Sequence, residues 1–171
     1  MKKILSKNYI KYIFIGFFLI LIILCIIMFR KEDDIVKSID SIKYFRFSYS
    51  NGYMANSSQS YEINCDEKCI LTLKPKYIPD DEAVEVELSK EEIDKLIEII
   101  NKYNVSKWNG FNKSDKYVLD GDSFSLSITA LDNEHISAMG YMMYPKNYGE
   151  FRSEVDSMFE KYIPEELKNR F

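Results

Sequence analysis

From Tyr12 to Phe29 the chain reads YIFIGFFLILIILCIIMF, eighteen positions without a charge. A helix of that length covers ~27 Å of a hydrocarbon core ~30 Å thick, so the run predicts a membrane-spanning helix at 12–29. Beyond it the period changes. In KYFRFSYS (43–50), Phe45, Phe47 and Tyr49 fall on alternate positions, which is the pattern of a half-buried strand. Tyr61, Ile63 and Cys65, then Cys69, Leu71 and Leu73, repeat that alternation on either side of Asp66-Glu67-Lys68 and predict a hairpin. EAVEVEL (82–88) sets Val84, Val86 and Leu88 against Glu82, Glu85 and Glu87 and predicts a fourth strand with a solvated acidic face.

The period then becomes helical. Ser89 followed by Glu92 is a capping box, and Ile93, Leu96, Ile97 and Ile100 make one apolar stripe, predicting a helix from Lys90 to Tyr103. FSLSITA (124–130), a turn at Leu131-Asp132-Asn133-Glu134 and HISAMGYMMY (135–144) predict a second hairpin, ended by Pro145. Phe151, Val155, Phe159 and Tyr162 mark a second helix from near Asn147, stopped by Pro164. Hairpins without strand–helix–strand alternation imply an α+β fold. Its antiparallel sheet of about six strands would carry both helices on one face, in the order β-β-β-β-α-β-β-α. The implied organisation is a basic tail (1–11), the span (12–29), a stalk (30–40), the α+β domain (41–163) and a short tail (164–171).

Charge orients this arrangement. Residues 1–29 carry Lys2, Lys3, Lys7 and Lys11 and no acid; of 23 basic and 27 acidic residues, 19 and 27 remain for 30–171, a net −8. The positive-inside bias predicts a cytoplasmic N-terminus and an extracytoplasmic domain anchored in the cell membrane by this single pass. An acidic domain without a Lys/Arg stripe excludes nucleic acid as the expected partner. A cleaved signal peptide is disfavoured, because the apolar run is too long and Arg30-Lys31-Glu32-Asp33-Asp34 follows it with no small-residue cleavage site. Cys25 follows Leu24, where an acylated cysteine would need a small neighbour, and reads as an apolar helix residue.

The candidate chemistry is sparse. His135 is the sole histidine and has no local nucleophile signature to join, so no catalytic residue is assigned. Cys65, Cys69 and His135 fall short of a structural zinc set. Asp115, Asp120 and Asp122 surround Gly121 and suit either a turn into a strand or a hard cation; without a distant bidentate Glu the turn is the simpler reading, and no metal or cofactor is assigned. Trp108, Phe111, Tyr141 and Tyr148 are candidates for a ligand surface, against the alternative that large aromatics plug the end of the core. Cys65 and Cys69 flank a three-residue turn and would form a disulfide in an oxidising compartment, with two free thiols the alternative.

The run Trp108-Asn109-Gly110-Phe111, the segment Val118-Leu119-Asp120-Gly121-Asp122-Ser123-Phe124-Ser125-Leu126, and Ile136-Ser137-Ala138 with Gly140-Tyr141 and Pro145-Lys146-Asn147-Tyr148 resemble an uncharacterised family of small bacterial lipoproteins and membrane-anchored proteins. The resemblance spans roughly 42–162. It implies an envelope location and no activity, and the missing lipobox leaves a helix as the anchor. The expectation is a non-enzymatic, membrane-tethered module that binds a protein or small ligand in the envelope. The alternatives are an envelope enzyme using acids such as Asp120 and Asp122, with or without calcium, and a small regulatory or assembly partner of another membrane protein, with Gly16 in its contact.

Overall fold

A computed structural model describes residue 12 and residues 15–22, 38–52, 58–75 and 83–165. The chain divides into two compact units, Met1–Lys37 and Ser38–Phe171. In the first unit Tyr12 and residues 15–22 are helical, and Ile15 and residues 17–22 expose apolar side chains. The rest of the sequence-predicted span, the basic tail and residues 30–37 of the stalk lie outside the described residues. Among the described residues no helix is long and apolar enough to cross a membrane.

The second unit is α+β. Its strands are β1 (Tyr44–Ser50), β2 (Ser58–Cys65), β3 (Cys69–Pro75), β4 (Val84–Leu88), β5 (Asn112–Ser114), β6 (Ser123–Thr129) and β7 (His135–Tyr141). Its helices are α1 (Lys90–Lys102) and α2 (Tyr148–Phe159), with short 3-10 turns at Val105–Trp108 and Glu160–Tyr162. The strands form one sheet in the order β4-β3-β2-β1-β6-β7-β5. β1 is central: Phe47 lies opposite Tyr61 of β2 on one side and Leu126 of β6 on the other.

The sheet corrects the sequence-based expectation in two ways. Among the described residues it has seven strands, not six, and it is mixed, because β5 runs parallel to β7. Asn112-Lys113-Ser114 carries no apolar alternation and all three residues are exposed. Backbone bonds alone place it: Gly110 N–H donates to Ser137 O, Met139 N–H to Phe111 O, and Asp115 N–H to Tyr141 O. β7 also stops at Tyr141, short of the expected Tyr144, because Met142 enters the left-handed region at φ 55° and turns the chain away.

One face of the sheet carries the core. Phe45, Phe47, Tyr61, Ile63, Leu71, Leu73, Leu126 and Ile128 are buried against Leu96, Ile99 and Ile100 of α1 and Phe151, Val155 and Phe159 of α2. Strand alternation and helical stripes thus meet on a single layer boundary. Ser89 caps α1 through Glu92 N–H, and Glu92 returns a carboxylate to Ser89 N–H. Beside β6, Gly140 leaves room for the Phe124 ring, since a Cβ there would come within 2.5 Å of its Cε1. Asn101 fastens the segment before β1 by a reciprocal pair with Ile39 N–H and C=O, each at 2.8 Å. Within the second unit both helices pack on this core face, so neither covers the opposite one.

Candidate functional site

That opposite face is built from the alternate residues of the same strands. In β1 they are Arg46, Ser48 and Ser50; in β2, Ser58, Ser60 and Glu62; in β6, Ser123, Ser125 and Ser127. The ladder registers align them. Ser48 lies opposite both Ser60 and Ser125, and Ser50 opposite both Ser58 and Ser123, so two rows of three serines cross the three central strands. Neighbouring rows stand ~6.8 Å apart and neighbouring strands ~4.8 Å apart. Serine is a weak strand former, and an exposed sheet face ordinarily favours larger β-branched or aromatic side chains. Six small side chains together leave space where larger ones would have filled it.

The result is a concavity of about 560 Å³ over the centre of the sheet, flanked by Arg46, Glu62, Thr72 and Lys74. Lys74 lies opposite Ser60 on β3, and Thr72 opposite Glu62. Arg46 meets Glu62 loosely, through Nε at 4.0 Å, and Tyr44 donates to Glu62 Oε1 at 3.1 Å. Ser50 and Ser123 share a hydrogen bond of 2.7 Å. Ser58 does not join them. It is only 6% exposed, it lines the concavity, and its Oγ is the one buried side-chain polar atom among the described residues that has no hydrogen-bond partner.

On the helix side, the same ends of β1 and β2 carry a polar knot of the opposite character. Tyr61 donates to Asp156 Oδ1 of α2 at 2.8 Å. The Tyr49 hydroxyl stands 2.8 Å from that oxygen and 2.7 Å from Gln59 Oε1, and Gln59 Nε2 donates to the Tyr61 hydroxyl. Arg152 lays its guanidinium over the Tyr49 ring at 3.6 Å and brings Nε within 3.6 Å of Asp156 Oδ2. Burial, and then the Asp156 carboxylate, push both phenols far above the ordinary tyrosine range, so they remain neutral donors. Every member of this knot is engaged.

The sequence-predicted aromatics do not assemble into a ligand surface. Trp108 is 3% exposed, stacked edge-on against Phe151 at 5.1 Å, and donates Nε1–H to Lys146 O. Tyr148 is buried between Phe124 and Tyr144, each at 4.6 Å. Phe111 is half-buried against the core and 6.1 Å from Phe124. Tyr141 is half-buried, and its hydroxyl donates to Leu119 O and accepts from Gly121 N–H, both at 2.7 Å. These rings close the end of the core and tether a loop, because burying a large aromatic side chain outweighs leaving it in water.

Two aspartates of that loop, Asp115 and Asp122, serve the backbone. Asp115 accepts from Tyr117 N–H, and Asp122 accepts from Gly52 N–H at 3.1 Å, where a Cβ on Gly52 would come within 2.4 Å of Gly121 O. Among the described residues no three His, Cys, Asp or Glu side chains gather as a metal set. His135 is exposed at the start of β7, with Nδ1 3.1 Å from Thr129 Oγ1. Cys65 and Cys69 face each other across the β2–β3 ladder and are joined by a disulfide. Sequence reasoning missed the serine rows, although Ser-x-Ser occurs in all three central strands. The signal was the polar half of each alternation, which acquires meaning only once the strands are known to be neighbours. No family model matches the chain, and no curated protein is significantly similar to it.

Proposed function

We propose that this chain is a membrane-tethered extracytoplasmic binding module whose contact surface is the serine-lined open face of its sheet. The tether is supported by the uncharged run at 12–29, the lysines before it, and the exposed apolar helical residues 15–22, which suit a lipid environment better than water. The observation that carries the binding reading is the concavity lined by two rows of three serines, among them Ser58, whose buried hydroxyl has no partner in the protein. A buried hydroxyl without a protein partner forfeits about 1–3 kcal/mol of solvation unless a water or a ligand satisfies it, and beside a hollow either can do so.

Two measurements on intact cells test this. External protease should digest the C-terminal domain while an N-terminal tag stays protected, and alkaline carbonate should leave the chain in the membrane; a protected domain or an extractable chain overturns the tether. In the same cells, Ser48→Tyr with Ser125→Tyr fills the concavity from two adjacent strands. Crosslinked species seen with the native chain should be lost, and an unchanged crosslinking pattern overturns the open face as the contact surface.

A further inference from the structure

Over the hollow a ligand meets side chains, because the backbone groups of β1, β2 and β6 are already paired with strands on both sides. An extended peptide adds to a sheet through a free edge, and the serine rows lie in the sheet's interior. Sites for apolar ligands are lined mainly by hydrophobic and aromatic side chains. Here, among the described lining residues, only Phe124 lacks a polar side-chain atom. An apolar ligand would strip water from the serines and return nothing to them. A serine hydroxyl is one donor and two acceptor sites, the same complement that a sugar hydroxyl presents. Two rows of three serines repeat it in two dimensions, and a ring with a hydroxyl on most carbons matches such an array. Ser50 and Ser123 bond each other, whereas Ser58 in the same row is only 6% exposed and has no partner in the protein. Its hydroxyl is the fixed, unspent contact of the site.

The charged groups beside the serines answer one another. Arg46 meets Glu62 across the β1–β2 ladder at 4.0 Å, and Lys74 has a partner of its own. An anion over this row would meet the Glu62 carboxylate, and a cation would meet the Arg46 guanidinium. A neutral hydroxyl suits both, since it accepts from the guanidinium, which only donates, and donates to the carboxylate, which only accepts. At 4.0 Å the pair is open enough to admit such a hydroxyl without the loss of a tight ion pair.

We propose that the concavity binds a neutral carbohydrate of two sugar units. This rests on the open face being the binding surface and deepens that reading by naming the ligand class. The size follows from the strand: Ser58 and Glu62 lie four residues apart on one face of β2, about 14 Å, a span that two linked rings cover and one does not. The hollow, about 560 Å³, falls within the ~300–1,000 Å³ of small-molecule sites.

The test titrates the full chain, in micelles of a detergent without a sugar headgroup, with maltose, cellobiose and lactose. Glucose and the aldonic acid of each disaccharide serve as controls, and binding is read by calorimetry. At least one disaccharide should bind, and the three should differ by about threefold or more, because fixed hydroxyls read stereochemistry. Glucose should bind at least about tenfold more weakly than the tightest disaccharide, and so should that disaccharide's aldonate. Glu62→Gln should narrow the aldonate's deficit by about threefold or more, which separates charge repulsion from the change of shape. Ser58→Ala should weaken the tightest disaccharide by roughly five- to tenfold while leaving the unfolding temperature of the free protein unchanged or higher, a pattern that a structural role would not give. An aldonate that binds as tightly as its neutral parent overturns the neutral ligand; glucose that binds as tightly as the disaccharides overturns the size. Disaccharide binding that survives Ser48→Tyr with Ser125→Tyr places the sugar elsewhere and overturns the assignment. If no disaccharide binds while the filled variant still abolishes crosslinking in cells, the ligand class is overturned and the open face stands as the contact surface. If no disaccharide binds and the filled variant leaves crosslinking unchanged, both fall.

Discussion

Tyr49 and Ser50, or Ser58 and Gln59, are chain neighbours, yet they belong to two polar regions with opposite properties. Tyr49 and Gln59 point to the helix side, where they join Tyr61, Asp156 and Arg152 in a knot with no member unengaged. Ser50 and Ser58 point to the open side, where small hydroxyls line a hollow and one of them is buried without a partner. A single-residue step along a strand, the period of its side chains, separates the two. This contrast separates architecture from function in a domain without a catalytic signature. Polar groups that satisfy one another hold elements together; polar groups left unsatisfied facing a hollow are available to something else.

The comparison is most exposed to Asp156→Ala. That change takes an acceptor from two buried phenols and the carboxylate from the Arg152 guanidinium at once, and should cost about 2–4 kcal/mol in chemical denaturation of the full chain in detergent. If it costs no more than Ser58→Ala, the knot is not architectural and the contrast collapses. Next in size is the bridge. Cys65→Ser with Cys69→Ser should lose at most about 2 kcal/mol, because the loop it closes is very short and the chain-entropy gain correspondingly small. The bridge ties β2 to β3, and β2 feeds both regions, so its loss should lower protection from hydrogen exchange on the two faces alike; protection lost on one face only would show that they are not set by a common sheet.

How much of this was legible beforehand depends on which forces were local. Helix α1 follows from Ser89, Glu92 and the Ile93–Leu96–Ile100 stripe, all within one stretch of chain, and the structure spans the residues that those signals mark. The hairpins follow from alternation. What was not legible was non-local: β1 pairing with β6 across some eighty residues, β5 recruited by backbone bonds with no side-chain pattern, and Asp156 meeting two tyrosines from other strands. The serine rows share that cause. Ser48, Ser60 and Ser125 are distant in the sequence and adjacent only through register. Of the two readings of the aromatic candidates, a ligand surface or a plug for the core, the burial of Trp108 on Phe151 and of Tyr148 on Phe124 agrees with the plug, although both sit among polar residues in the sequence.

A second satisfied junction sharpens the contrast through pH. Glu92 accepts from Lys161 and Tyr162 as well as from Ser89 N–H, so the segment after α2 is bound to the start of α1. The Lys161 and Tyr162 hydrogen bonds hold its carboxyl down at about 2, against an ordinary 4.5. A carboxyl depressed in the folded state contributes stability that is complete above the ordinary value and is lost as pH falls toward the folded one. Denaturation midpoints should therefore decline between pH 4.5 and pH 2 in the native chain, and Glu92→Gln should flatten part of that decline while costing about 1–2 kcal/mol at neutral pH. An identical acid profile in Glu92→Gln would remove this junction from the satisfied class.

The smallest expected effect is the most diagnostic. Ser58→Ala removes a buried hydroxyl that bonds nothing, leaving a methyl group of nearly the same size in its place. Three terms decide the outcome. No hydrogen bond within the protein is lost; a desolvated donor and acceptor are relieved; and a small amount of apolar surface replaces a polar atom in an enclosed position. Each is neutral or favourable, so the free protein should be unchanged or more stable by up to about 1 kcal/mol, as read by the shift in denaturation midpoint at constant slope. Tyr61→Phe, the same deletion of one hydroxyl on the other side of β2, should instead cost about 1–2 kcal/mol, because Asp156 and Gln59 each lose a partner. Opposite signs for two hydroxyls on one strand are what the division between knot and hollow requires. A clear destabilisation by Ser58→Ala would mean that its hydroxyl already serves the fold, and the hollow would lose the group that singles it out as a binding site.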